Sequence, residues 1–176
     1  ELYYSSVGRN SNLLLNVPPD RRGLLHENDV ESLLAFRRLL EEEFKYDLAL
    51  GKEASSSHDR GKSYRAVNAI DGIPDTYWST PDNVTTASIT IDLGAETEVN
   101  RILIQEYIKL GQRIKSFSVE AYIQNEWKHI LDGTTIGYKV IRKFPLVKTS
   151  LIKVNFNDSK ACPVISNIQI FRAPGN

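Results

Sequence analysis

The stretch Asn68-Ala69-Ile70-Asp71-Gly72-Ile73-Pro74-Asp75-Thr76 gathers oxygen donors around a tight Asp-Gly turn. Calcium takes about six to eight oxygens from carboxylates, carbonyls and hydroxyls, and such a turn aims backbone carbonyls inward while Asp71 supplies charge. The same residues also suit an Asx-type turn that holds no ion, so both readings stand on these residues. Sugar recognition needs flat aromatic faces and a few convergent polar groups. Tyr64, Tyr107 and Tyr138, with Gln112 and Arg113, offer them; packing at an edge or interface is the plainer use of these side chains.

Catalytic chemistry is harder to find. Paired carboxyl groups could do general acid/base work, but Glu96, Glu98 and Asp132 sit in strand-and-turn sequence and read as surface charge. His26, His58 and His129 are widely separated and make no metal-ligand spacing. Cys162 is the single cysteine, which excludes an internal disulfide and a cysteine-based zinc site. With no histidine near it in sequence, it reads as a small buried apolar side chain. Asn16 invites attention because it sits near the C-terminal end of an apolar run, although a side chain closing the loop onto Pro18-Pro19 explains it equally well.

Two textures meet near residue 50. Before it, Leu13-Leu14-Leu15-Asn16-Val17 is a continuous apolar run stopped by Pro18-Pro19-Asp20, the pattern of a strand buried on both faces. A helix is expected next, from Asp29 to Phe44. Val30, Leu33, Leu34, Leu40 and Phe44 fall at helical spacing, Asn28 serves as cap and Glu31 as its capping-box partner. Glu41-Glu42-Glu43 at its end reads as a solvated face. One strand and one helix cannot cover both faces of that strand, so the unit calls for a larger sheet. After Gly51 the period becomes two, in Ile89/Ile91/Leu93, Phe117/Val119/Ala121, Ile152/Val154/Phe156 and Ile168/Ile170. Val99–Ile104, Trp127–Ile130 and Tyr138–Ile141 add short strands, and Asp92-Leu93-Gly94, Asp132-Gly133 and Asn157-Asp158-Ser159 read as turns. Trp78 and Trp127 are expected in the core. Many short strands predict an antiparallel sandwich or jelly roll.

The totals bound the partners. Lys plus Arg and Asp plus Glu number 22 each, so no net field draws in nucleic acid or an anionic membrane surface. No apolar run reaches the length of a membrane span. The chain has no methionine, even at position 1, which points to a natural start upstream.

Ser6-Val7-Gly8-Arg9-Asn10-Ser11-Asn12 running on through Leu13 to Asp20, then Gly23 and the helix from Asp29, resembles the end of the catalytic barrel of retaining α-L-fucosidases. Ala54-Ser55-Ser56, Asn68-Ala69-Ile70-Asp71-Gly72, Thr76-Tyr77-Trp78-Ser79, Ile91-Asp92-Leu93-Gly94 and Val99-Asn100-Arg101-Ile102 resemble the coagulation-factor type C, or discoidin, domain. The resemblance implies a mainly β chain: residues 1–47 as the last strand and helix of a (β/α) barrel, residues 48–176 as a discoidin-like jelly-roll sandwich.

It also implies a structural calcium held by the Asn68 and Ile73 carbonyls, Asp71, Thr76 and a group near Ser166-Asn167, where the family commonly carries glutamate. The implied partners are the rest of the barrel and fucosylated or galactosylated glycans, in a secreted or periplasmic enzyme, or a lysosomal one in a eukaryote. The catalytic carboxylates would lie on earlier barrel strands, leaving this chain inactive alone. Two other roles for the sandwich remain: a carbohydrate-binding module, and an adhesive domain, which requires an exposed apolar or basic loop tip that the sequence does not mark.

Overall fold

The computed structural model describes residues 1–174. A short helix α1 (Leu2–Ser5) and a long one, α2 (Glu27–Glu43), precede seven strands: β1 (Glu53–Ser56), β2 (Trp78–Ser79), β3 (Ala87–Glu106), β4 (Ile114–Ile123), β5 (Glu126–Gly133), β6 (Val140–Ser159) and β7 (Val164–Phe171). All strand pairings are antiparallel, in the order β2-β7-β3-β6-β4-β5, with β1 off this path and paired with β3.

β3 and β6 are long enough to serve both layers. The first half of β3 pairs with β1 and with the end of β6; its second half pairs with β7 and with the start of β6. Register shifts between Asp92 and Thr97 and between Val99 and Arg101 mark where the strand changes layer, since an extra residue bends and twists a strand. The expected turn at Asp92-Leu93-Gly94 is therefore a bend inside one strand: Gly94 has φ +82° and its N–H donates to Asp92 Oδ1. Likewise Asn157-Asp158-Ser159 ends β6 instead of turning, because Ile114 and Ser116 of β4 still pair with it.

The period-two positions meet between the layers. Ile89, Ile91, Phe117, Val119, Ile152, Val154 and Phe156 pack against Trp78, Ile102, Ile104, Ile168 and Ile170, and the Trp78 ring stacks on Phe156 at 5.4 Å. Burial of that much apolar side chain is the main stabilising term for the sandwich. Trp127 departs from expectation. It lies half-buried on the outer face of β5, under the Lys153 ammonium at 3.7 Å from its ring centre.

The first fifty residues behave differently. Leu13–Val17 forms no strand, and Leu14 is 94% exposed, because no neighbouring strand among the described residues supplies ladder hydrogen bonds. α2 starts at Glu27, with His26 and not Asn28 as its cap: the His26 ring nitrogen accepts from Asn28 N–H. Asn28 is already inside the first turn. Of the three glutamates, Glu43 is buried, so only Glu41 and Glu42 form the solvated face.

Candidate functional site

The loop after Ala69 folds around Asp71. Its Oδ1 accepts from Ile73 N–H at 2.8 Å, and the Thr76 hydroxyl lies 2.7 Å from Asp71 Oδ2 and 3.0 Å from the Ile73 carbonyl oxygen. Hard oxygens of three kinds thus converge within a single turn, with Gly72 at φ +73° making the reversal. Two oxygens each about 2.4 Å from a calcium ion stand about 3 Å apart in its shell, so the spacing suits that ion as well as an Asx turn. Around the loop, the Asn68 side-chain amide donates to the Ser63 and Tyr77 carbonyls, the Asn167 amide donates to Gln105 Oε1, and the Ser166 hydroxyl to the Gln105 carbonyl; these bonds use donor groups and leave in place the oxygens expected as ligands, the Asn68 backbone carbonyl among them. Among the described residues no three acidic, histidine or cysteine side chains gather as a metal cluster.

Beside this loop, at the same end of the sandwich, lies a cavity of about 390 Å³ whose walls include Ile73, Gln105, Tyr107, Tyr138, Ser166 and Asn167. Two of the five expected sugar-contacting residues, Tyr107 and Tyr138, line it. Tyr64 stands behind Tyr107 in a three-ring stack: Tyr77 lies between them, 4.5 Å from Tyr107 and 5.0 Å from Tyr64. Gln112 and Arg113 do not line it. Arg113 turns away, its guanidinium donating to the Cys162 carbonyl at 2.9 Å, and Gln112 is exposed. Ile73 and Ile108 are half-exposed at the cavity, which gives its walls an apolar character that the sequence does not mark.

Glu106 holds these walls together. It is buried, and its two oxygens accept from the N–H groups of Arg113 at 2.6 Å, Ile114 at 3.0 Å and Gly137 at 2.6 Å. One carboxylate therefore fixes the loop that carries Tyr107 to the turn that carries Tyr138. Three charge-assisted hydrogen bonds offset the cost of taking that charge out of water. Sequence reading missed it, although a signal exists: Glu106 continues the inward series Ile102, Ile104, where an acid has no place unless it is tied down.

A second cluster joins the opening segment to the sandwich. Tyr4 donates to Glu43 Oε2 at 2.5 Å and accepts from Arg101 Nε at 2.9 Å, and Tyr4, Glu43 and Arg101 are all buried. Burial, and then the bond to Glu43, push the Tyr4 hydroxyl far above its ordinary pKa. Leu103, Ile141 and Phe171 pack around Tyr4, and Phe44 meets the Phe171 ring edge-on at 5.2 Å. Asn10, at φ 65°, spans to the Ile136 carbonyl and the Lys139 N–H. Both ends of the opening segment, residues 1–10 and 43–49, thus close onto β3, β6 and β7. The segment between them leaves Leu14, Leu24, Leu34 and Leu39 more than half exposed.

Residues 52–167 match the F5/8 type C domain. Over 177 residues the chain is 31% identical to α-L-fucosidase 1 of Arabidopsis thaliana, covering 97% of this chain and 35% of that protein. A Ruminococcus gnavus GH29 fucosidase, solved in complex with fucose, superimposes with a TM-score of 0.90 at 34% identity, over 97% of this chain and 35% of that one. A chitosan-binding module of a Paenibacillus chitosanase/glucanase shares the fold alone, at 20% identity and a TM-score of 0.66; the match spans 72% of this chain and 99% of that module. The chain spans about a third of the length of the curated relatives it matches, in their C-terminal part.

Proposed function

This chain belongs to the F5/8 type C domain family, and from that premise we propose that it is the C-terminal portion of a retaining α-L-fucosidase, its sandwich an accessory module docked on the catalytic barrel. The observation that carries the reading is the division within the opening segment. Its ends are buried against the sandwich through Tyr4, Glu43 and Arg101, while the apolar residues between them, Leu14 and Leu24 above all, face outward. Such a surface asks for a covering layer, and a barrel whose last strand and helix are residues 13–17 and 27–43 would provide it. The likeness to longer fucosidases supports the same arrangement.

In this reading the parent enzyme releases terminal α-linked fucose from glycans. Its nucleophile and acid/base carboxyls lie outside this chain, and the chain contributes position. Glycans put the enzyme in a secreted, periplasmic or lysosomal setting; no helix of the described residues is long and apolar enough to cross a membrane. Calcium would bind at Asp71, Thr76 and the Ile73 carbonyl and act structurally, by holding the loop that walls the 390 Å³ cavity. Proton NMR of fucoside hydrolysis by the product of the complete reading frame tests the retaining claim. α-L-Fucose should form first and mutarotate later, whereas initial β-L-fucose would refute it.

A second reading, that the sandwich binds sugar, has its own support. Tyr107 and Tyr138 line a cavity of monosaccharide size, and Tyr107 is braced by the Tyr77 and Tyr64 rings. Titration with fucose, galactose and their oligosaccharides separates it from pure docking. Saturable binding lost in Tyr107→Ala supports sugar recognition, and flat titrations exclude it for those ligands.

A further inference from the structure

The seam between the opening segment and the sandwich holds a second cavity, of about 200 Å³, lined by Arg9, Asn10, Thr134, Thr135, Val140 and Arg142. Two of these six carry full positive charge and none is acidic. Arg9 pairs with Val140 in an antiparallel bridge, and Ile141 N–H donates to the Gly8 carbonyl at 3.0 Å, so residues 8–9 extend the start of β6 by a short rung. Arg142 lies two residues beyond Val140 and is therefore a diagonal neighbour of Arg9 on the same face. Burial, followed by the like charge of Arg9, pushes the Arg142 guanidinium below its ordinary pKa.

Like charges held together need compensation, and the chain does not supply it. Among the described residues neither Arg9 nor Arg142 makes an ion pair, while nine other Lys and Arg side chains do. Glu1, in the adjoining cleft, pairs with Lys143 at 3.5 Å. The Thr134 and Thr135 hydroxyls, also on the wall, make no hydrogen bond within the described residues. Asn10 is saturated and acts as the fixed wall, its amide held by the Ile136 carbonyl and the Lys139 N–H. Two guanidiniums without an ion pair beside two idle hydroxyls are an incomplete set of donors.

We propose that this pocket binds a tetrahedral oxyanion, a sulfate or phosphate group, through the guanidiniums of Arg9 and Arg142 and the hydroxyls of Thr134 and Thr135. Guanidinium forks match the several acceptor oxygens of such a group. The volume exceeds that of the bare ion, which leaves room for part of a sugar carrying the group as an ester. Because Arg9 comes from the opening segment and Arg142 from the sandwich, a bound anion ties the two together. The inference is independent of the fucosidase reading.

The test compares the melting temperature of the 176-residue chain in sodium sulfate and in sodium chloride at equal ionic strength, for wild type, Arg142→Gln and Arg9→Gln. Sulfate stabilises most folded proteins by exclusion from their surface, so the difference between wild type and the variants is the reading that counts. A saturable rise of about 5 °C near 100 times the dissociation constant, lost in both variants, is expected; the variants should melt no lower than wild type in chloride. Calorimetric titration with galactose 6-sulfate against galactose and against sulfate then assigns the source: tighter binding of the ester points to a sulfated glycan, and equal or weaker binding to the free ion. An unsaturable response, or one of equal size in wild type and both variants, would overturn the proposal.

Discussion

Tyr4 sits between a buried acid and a buried base, donating to Glu43 and accepting from Arg101, and neither neighbour has water to fall back on. Tyr4→Phe keeps the ring and removes only the hydroxyl, so it should cost about 2 kcal/mol, the penalty of leaving buried polar groups unmatched. Urea unfolding at neutral pH measures this. The hydroxyl's pKa is raised in the folded state, chiefly by burial and then by Glu43. Its contribution is therefore complete below the unfolded value of about 10 and is lost as pH rises through the folded value. The wild-type midpoint should fall above about pH 10 by more than that of Tyr4→Phe; equal falls would remove Tyr4 from the account. These charged contacts were the least legible part of the sequence. Glu43 looked like one of three surface glutamates, and Arg101 was read only as part of the Val99–Ile104 strand, because the partner that buries each is more than thirty residues away.

At the scale of elements, α2 shows what its surroundings omit. Leu34 and Leu39 are each about half exposed on it, whereas Leu33, Phe36 and Leu40 are partly covered. Leu34→Lys together with Leu39→Lys should leave the melting temperature of this chain within about 2 °C, since surface changes away from packed features are worth about 0.5 kcal/mol or less. The same pair should reduce self-association in sedimentation velocity. A large fall in melting temperature would mean that this face is already packed. The period-two segments were legible as strands because each alternation is enforced by the core between the layers. The joining of Ile89–Leu93 with Val99–Ile104 into one bent strand was not, since a bulge carries only the weak mark of Gly94. Leu13–Val17 was legible as apolar but not as coil, because strand formation depends on a neighbour that the segment itself does not contain.

For the molecule as a whole, the sandwich presents two distinct regions. One is the end bearing the Asp71 loop and the Tyr107–Tyr138 cavity; the other is the seam that grips the opening segment. Calcium at the first should raise the melting temperature in a saturable way, since an ion bound only to the folded form at about 100 times its dissociation constant adds about 2.7 kcal/mol. Chelation should reverse the rise, and Asp71→Asn should abolish it. A midpoint unmoved by calcium or by excess chelator would leave the loop as an Asx turn. The sequence marked this loop as a candidate but could not show that Asn167 and Asn68 spend their side-chain amides on neighbouring groups, because that depends on which strands lie beside them. The most direct measurement of the central claim is a side-by-side assay of 4-nitrophenyl α-L-fucoside hydrolysis by this chain and by the product of its complete reading frame. The account predicts turnover by the longer protein and none by residues 1–176. Hydrolysis by the short chain, or an inactive but folded longer product, would contradict it.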